Sequence, residues 1–101
     1  MPKVSVCIPV YNPNSFLQSA IASVLAQDFE DFELLIVDDY SKEPIQNMVN
    51  TFRDQRLVFF RNTRNLGLAS NWNQCLDLAQ GEYVTIFHQD DVMMPGNLRL
   101  K

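Results

Sequence analysis

Four short apolar runs, separated by stretches with helical periodicity, most constrain what this chain can fold into. The runs are rich in β-branched and aromatic residues and predict strands at residues 3–10, 32–37, 57–60 and 83–87. Between them, apolar residues recur at helical spacing in residues 15–26, 44–53 and 68–79. Strands that alternate with helices predict a parallel sheet with right-handed crossovers. The predicted fold class is therefore α/β, with four parallel strands and helices on both faces.

Smaller signals refine this outline. Gly81 is placed to end the third helix, and a fourth helix is predicted to begin at residues 96–101. Cys7 in the first strand and Cys75 in the third helix are predicted to be reduced core residues. No linker or repeat divides the chain, so residues 1–101 form one domain.

Composition and charge exclude several classes of function. The chain of 101 residues is 47% hydrophobic and 20% charged, which is typical of a globular domain. A net charge of −4 without a basic stripe argues against nucleic-acid binding. No apolar run is long enough to span a membrane, and no export signal is visible, so we expect a cytoplasmic location. The spacing of Cys and His does not suggest a zinc site.

Polar residues follow each predicted strand, at the point where the strand ends. In a parallel sheet these ends meet at one edge, where open α/β sheets bind ligands. The segments are Tyr11-Asn12, Asp38-Asp39, Arg61-Asn62 and His88-Gln89-Asp90-Asp91. Two pairs of adjacent carboxylates repel each other, and a divalent cation relieves that repulsion. No Gly-rich loop follows the first strand, which argues against P-loop enzymes and dinucleotide-binding folds.

This edge favours a nucleotide diphosphate bound through Mg²⁺ or Mn²⁺. One carboxylate of Asp90 and Asp91 can hold the metal while its neighbour accepts a hydrogen bond from a ribose hydroxyl. Asp39 can accept a base N–H, and Tyr11 can stack on the base or hydrogen-bond to it. The metal would stabilise a leaving diphosphate as a Lewis acid. Asp38 is expected to have a structural role instead, bonding loop amides.

A series of motifs in a fixed order resembles the family 2 glycosyltransferases with the GT-A fold. The motifs are Val4 to Asn12, Ser23 to Gln27, Phe32 to Asp39, Arg61-Asn62 with Asn65-Leu66-Gly67, and Gly81-Glu82-Tyr83 leading to Gln89-Asp90-Asp91. The resemblance covers nearly the whole chain and implies strand order 3-2-1-4. It also implies inverting, metal-dependent transfer of a sugar to a glycan or a lipid-linked saccharide. A UDP-sugar is the favoured donor.

The resemblance further implies roles for individual residues. Pro9, Tyr11 and Asp39 would line the base site, Asp90 would approach the ribose, and Asp91 would bind the metal. Asn12 and Asn65, which lie in loops at the same edge, complete the predicted nucleotide contacts.

Two positions depart from the family pattern. His88 stands where many members have the first Asp of Asp-x-Asp, which leaves open whether Asp90 or Asp91 holds the metal and whether His88 takes part. Trp72 stands where many members have Arg, so a phosphate contact would be lost or moved, with Asn71 or Asn73 as weak substitutes. Trp72 itself lies on an apolar helical stripe and is predicted to pack in the core, with stacking on a ligand as the less favoured alternative.

Members of the family are considerably longer and carry a catalytic base beyond the nucleotide-binding half. We find no candidate base here and expect a partial domain that binds the donor. A non-catalytic nucleotide-binding module is the alternative; a phosphoacceptor receiver domain is disfavoured because no acidic pair follows the first strand. The predicted topology leaves one sheet face covered by a single helix, from which we expect self-association.

Overall fold

The computed structural model describes residues 2–13 and 16–89, and in them it shows a four-stranded parallel sheet with the order β3-β2-β1-β4. The strands are β1 (Val4–Val10), β2 (Phe32–Asp38), β3 (Leu57–Arg61) and β4 (Tyr83–Ile86). The helices are α1 (Phe16–Leu25), α2 (Gln46–Asn50) and α3 (Leu68–Leu78). The predicted fold class and strand order are confirmed.

The two central strands carry the core. Every residue of β1 is buried, as are all of β2 except Glu33, because sheet neighbours and helices cover both strands. The alternation of side chains sends Val6, Ile8 and Ile36 to one face, where they pack against buried residues of α1 and α2. Each fully buried aliphatic side chain contributes roughly 1.5–3 kcal/mol to this packing.

The opposite face of the sheet packs against α3. Cys7, Leu35 and Val37 form a small cluster there with Cys75 of α3. Both cysteines are free and buried, as predicted. Hydrogen bonding to Cys75 and burial raise the pKa of the Cys7 thiol, so it stays protonated.

Several predicted boundaries differ from the observed ones. Helix α2 covers only Gln46–Asn50, less than the predicted residues 44–53, and its N-cap Ile45 offers no side-chain hydrogen bond. Helix α3 ends at Leu78, with Ala79 extended, so Gly81 is not its C-cap. The predicted fourth helix at residues 96–101 lies outside the described residues.

The prediction that Trp72 packs in the core is wrong. Leu68, Trp72 and Leu76 are all exposed, although they lie on the predicted apolar stripe of α3. The helix turns Asn71 and Cys75 to the sheet instead. Burial of the polar Asn71 is possible because its amide is hydrogen-bonded on both sides.

The α3 face also leaves apolar residues of the edge strands exposed, namely Val58 and Phe60 of β3 and Val84 of β4. This exposure agrees with the expected one-helix face, while self-association through it stays a prediction. None of the helices in residues 2–13 and 16–89 is long and apolar enough to cross a membrane.

Candidate functional site

A cavity of about 450 Å³ opens where β1, β2 and β4 end and α3 begins. It lies at the carboxyl edge of the parallel strands, where the sequence places the predicted site. Its lining residues are Pro9, Val10, Tyr11, Asp39, Asn65, Gly67, Leu68, Asn71, Trp72, His88 and Gln89. Of the predicted nucleotide contacts, the structure brings Pro9, Tyr11, Asp39 and Asn65 together here.

Asp39 anchors the loop that leads from β3 into α3. Its Oδ1 accepts hydrogen bonds from the Leu66 amide at 2.7 Å and from Asn62 Nδ2 at 2.9 Å. Its Oδ2 accepts from the Gly67 amide at 2.9 Å and from Asn65 Nδ2 at 3.2 Å. The side chain is only 2% exposed. A carboxylate offers about four lone-pair sites, so all of them are occupied.

A chain of buried amides continues from Asp39 to the strand β2 backbone. Asn62 Nδ2 also donates to Asn71 Oδ1 at 2.8 Å, and Asn71 Nδ2 donates to the Val37 carbonyl at 3.2 Å. The oxygen and the nitrogen of the Asn71 side-chain amide therefore both form hydrogen bonds inside the protein. The suggestion that Asn71 replaces a phosphate contact is not supported by this arrangement.

Asp38 has the structural role that its sequence position suggested. Its Oδ1 accepts from the backbone amide and the hydroxyl of Ser41, which closes the turn after β2. Its Oδ2 lies 3.4 Å from Arg61 Nε. The Arg61 guanidinium also stacks over Tyr40 at 4.4 Å and donates to the Ser41 carbonyl, so the ends of β2 and β3 are tied together.

Two loop residues after β1 have different surroundings. The Tyr11 amide donates to Gln89 Oε1 at 3.1 Å, while its half-exposed side chain lines the cavity. Asn12 has a left-handed backbone (φ 45°), and its Oδ1 accepts from the Lys42 amide at 2.9 Å. Asn12 lines a neighbouring cavity with Lys42. Among the described residues it is the predicted nucleotide contact that does not line the 450 Å³ cavity.

The β4 end of the cavity carries the residues that lead to the predicted metal ligands. His88 lies with its ring centroid 6.1 Å from that of Trp72, and Gln89 follows it in the lining. Asp90 and Asp91 come next in the sequence and lie outside the described residues. Among the residues that the structure does describe, no cluster of three His, Cys, Asp or Glu side chains could hold a metal.

The described lining residues offer no free carboxylate for a hard cation, and a metal site at Asp90 and Asp91 stays a prediction. Asp39 is the one carboxylate among the described lining residues, and its oxygens already accept four hydrogen bonds. Carboxylates are the oxygen ligands that Mg²⁺ and Mn²⁺ favour, and these ions commonly keep waters beside them.

Comparison with known proteins decides the family. The model of glycosyl transferase family 2 matches residues 5–100, nearly the whole chain. The chain belongs to this family. Its sheet order agrees with that membership, which the motif order in the sequence predicted.

Two curated relatives illustrate the relationship. A putative colanic acid biosynthesis glycosyl transferase, WcaA of Escherichia coli, is 38% identical over 99 residues, which is 96% of this chain and 36% of WcaA. The GalNAc(5)-diNAcBac-PP-undecaprenol beta-1,3-glucosyltransferase of Campylobacter jejuni is 38% identical over 101 residues, which is 97% of this chain and 33% of that enzyme. The chain thus spans about a third of the length of these relatives.

Solved structures of glycosyltransferases share the fold. S. aureus TarS in complex with UDP-GlcNAc superposes with a TM-score of 0.88 at 30% identity, over 96% of this chain and 29% of that one. The mannosyltransferase PcManGT of Pyrobaculum calidifontis, in complex with GDP-Man and Mn²⁺, superposes with a TM-score of 0.85 at 26% identity, over 96% and 30%. The GT-A fold that the resemblance implied is confirmed.

Sequence reasoning missed two features of this site. The first is the capture of Asp39 by the backbone of the loop before α3, which depends on how that loop folds and leaves no mark in the sequence. The second is the placing of Trp72 and Leu68 in the cavity wall. Asn71 lies outside the predicted stripe, one turn before Cys75, and its polar side chain was no sign that α3 packs on that side.

Proposed function

We propose that this chain binds the donor of a glycosyl transfer, a nucleotide-diphosphate sugar, in the cavity at the carboxyl edge of its sheet. The observation that carries the proposal is the position of the cavity in a chain of this family. Its lining brings the predicted base-site residues Pro9, Tyr11 and Asp39 together with His88 and Gln89, which precede Asp90 in the sequence. The solved neighbours, which hold UDP-GlcNAc and GDP-Man, support this type of ligand.

Because the Asp39 carboxylate already accepts four hydrogen bonds, one of them must break before a nucleobase can bind to it. A nucleobase N–H can be accepted only if one of the four present donors withdraws. Asn65 is the natural one, because its contact at 3.2 Å is the longest of the four and its side chain is exposed. In this proposal the Asn65 amide, which also donates to the Asp39 carbonyl at 3.1 Å, turns from Oδ2 toward the base edge, while Leu66 and Gly67 hold the carboxylate in place.

A divalent ion at Asp91, with Asp90 beside it, is the proposed counter-charge to the diphosphate. Bound there, the ion would act as a Lewis acid for the leaving diphosphate. A charge partner of this kind is needed because no Lys or Arg is among the described lining residues and the net charge of the chain is −4.

We further propose an inverting transfer. The acceptor hydroxyl oxygen attacks the anomeric carbon as the bond to the diphosphate breaks, and the hydroxyl proton passes to a carboxylate base. Asp39 is unsuited to be that base because its oxygens are occupied and almost buried. The part that we assign to the described residues is donor binding. A lipid-linked or other saccharide is the proposed acceptor class, in keeping with the name of the C. jejuni relative.

Calorimetric titration with UDP, GDP and dTDP, with and without Mn²⁺, tests the donor and the metal together. We expect UDP to bind most tightly, and Mn²⁺ to strengthen its binding. Asp91→Ala should weaken the metal-dependent binding at least about tenfold, because a metal ligand and its charge are lost. Asp77→Ala is the matched control, since it removes an exposed carboxylate on α3 that does not line the cavity.

The outcomes separate the parts of the proposal. Binding that needs no metal and is unchanged by Asp91→Ala would contradict the metal assignment. Tighter binding of GDP than of UDP would overturn the uridine preference alone. No binding of any of the three nucleotides would contradict donor binding by this chain.

A further inference from the structure

Packing in the core does not explain the position of Trp72. Its side chain is 37% exposed, and the exposed part faces the cavity rather than the core. Leu68, one turn earlier on α3, is 71% exposed and lines the same wall. The His88 ring completes the wall at 6.1 Å from Trp72, with its plane tilted by 49°. A large aromatic surface of this kind inside a cavity is typical of a ligand contact.

The chemistry of this wall favours the uncharged part of a nucleotide. Leu68 and Trp72 offer apolar surface, and the described lining residues include no Lys or Arg that would attract a diphosphate. Every nucleobase has a flat π-face that stacks on aromatic side chains, whichever polar groups its edge carries. The groups that can read that edge, Asp39 and Asn65, line the same cavity.

Asp39 is tied to the start of the helix that carries Trp72. The Gly67 amide, just before the helix, donates to Asp39 Oδ2 at 2.9 Å. Trp72 is five residues further on, which corresponds to a rise of roughly 7.5 Å along a helix axis. Both residues border one cavity of about 450 Å³, in which a base held at Asp39 can also contact Trp72.

We propose that Trp72 packs against the nucleobase of the donor and helps to determine its affinity. The inference rests on the proposed function and assigns a base-stacking contact to a residue that stands where many family members have Arg. Trp72 thereby supplies stacking area where those members supply a charge, and it works together with Tyr11 on the lining of the same cavity.

The protein carries its own probe for this contact, because Trp72 is its single tryptophan. We expect UDP with Mg²⁺ to quench the tryptophan fluorescence and to shield the indole from acrylamide. Inorganic pyrophosphate with Mg²⁺ should do neither, because it lacks a base. Mg²⁺ is used here since Mn²⁺ itself quenches fluorescence, and the absorption of UDP is corrected with free tryptophan in parallel.

Calorimetric titration of variants with UDP measures how much Trp72 contributes to the binding affinity. Trp72→Ala should weaken UDP binding roughly 5- to 150-fold, the effect that removal of an aromatic side chain under a base commonly has. Trp72→Phe, which keeps a ring, should retain most of the affinity. Leu76→Ala is the matched control, since Leu76 is 52% exposed on the same helix and does not line the cavity; it should bind UDP within about twofold of the unchanged protein.

These results distinguish the inference from the function on which it rests. If UDP binds the unchanged protein, but Trp72→Ala binds equally well and the fluorescence does not respond, the inference is wrong and the proposed function stands. An equal response to pyrophosphate would also overturn it, because the contact would then be with the diphosphate. If neither the unchanged protein nor the Leu76→Ala variant binds UDP, the proposed function itself fails.

Discussion

Asp39→Ala is expected to lower the free energy of unfolding by about 3–5 kcal/mol, far more than a typical surface substitution. The change removes the acceptor of four hydrogen bonds, two of them from the backbone amides of Leu66 and Gly67. A donor that is left buried without a partner costs about 1–3 kcal/mol. Asn62 is buried, so its amide would lose a partner that water cannot replace. Asn65 and Gly67 are exposed, so water can hydrogen-bond to their amides.

Urea unfolding at neutral pH measures this loss. Asp39→Asn should fall between the two proteins, because one amide oxygen still accepts while the new NH₂ group faces existing donors. Asp77→Ala, a change of the same charge at an exposed position on α3, should stay within about 0.5 kcal/mol of the unchanged protein. A loss of less than about 1 kcal/mol for Asp39→Ala would show that the carboxylate does not organise the loop before α3.

Gly81→Ala is the substitution with the second large effect, and its cause is steric. An added Cβ would lie 2.7 Å from the Ser5 backbone nitrogen and 2.8 Å from the Val4 carbonyl carbon. Both are backbone atoms of the central strand β1, so they have little freedom to move. We expect a loss of about 2–4 kcal/mol, at or above the usual range for overpacking, because strand pairing is disturbed as well.

The surroundings of Gly81 explain why it matters. Its amide donates to Ser5 Oγ at 2.8 Å, Ser5 Oγ donates to Glu33 Oε2, and Glu33 Oε2 also accepts from the Gln80 amide at 2.7 Å. Two residues later, the Tyr83 amide donates to the Lys3 carbonyl at 3.0 Å, which begins the pairing of β4 with β1. A displaced Gly81 therefore moves the start of β4.

Thermal unfolding together with amide hydrogen exchange tests this prediction. The exchange of β4 amides should accelerate more than that of β2, because the disturbance begins at the β1–β4 pairing. Ser5→Ala combined with Gly81→Ala should not restore the stability, since the backbone nitrogen of residue 5 remains too close and the hydrogen bonds of the serine hydroxyl are lost. A Gly81→Ala protein as stable as the unchanged one would mean that β1 yields easily at this point.

The fold could be predicted from the sequence because strong local signals agree with each other. The runs that became β1 and β2 are apolar on both faces, which requires cover on both sides and hence a parallel sheet. The weaker α2 was overestimated, since its apolar spacing extends beyond the short segment that has helical hydrogen bonds. Spacing reports which residues share a face, and it does not report where hydrogen bonding begins and ends.

The site could be predicted only in outline. Topology alone brings Tyr11, Asp39 and His88 to one edge, so their convergence followed from the strand assignments. The loop contacts of Asp39 and the turn of α3 about its axis depend on tertiary packing. For α3, two satisfied hydrogen bonds allowed the polar Asn71 to be buried while Trp72, an apolar residue beside it, faces the cavity. The contribution of Asp90 and Asp91 stays a prediction.

Amide chemical-shift mapping on the isotopically labelled chain tests the central claim most directly, because it reports where a donor nucleotide binds. With UDP and Mg²⁺ we predict the largest shifts at the amides of Tyr11, Leu66 and Gly67 and at the indole N–H of Trp72. The small cavity lined by Val49, Arg53 and other residues serves as an internal control and should not respond. Shifts confined to that control region, or saturating binding that leaves the Gly67 amide and the Trp72 indole unchanged, would contradict the account.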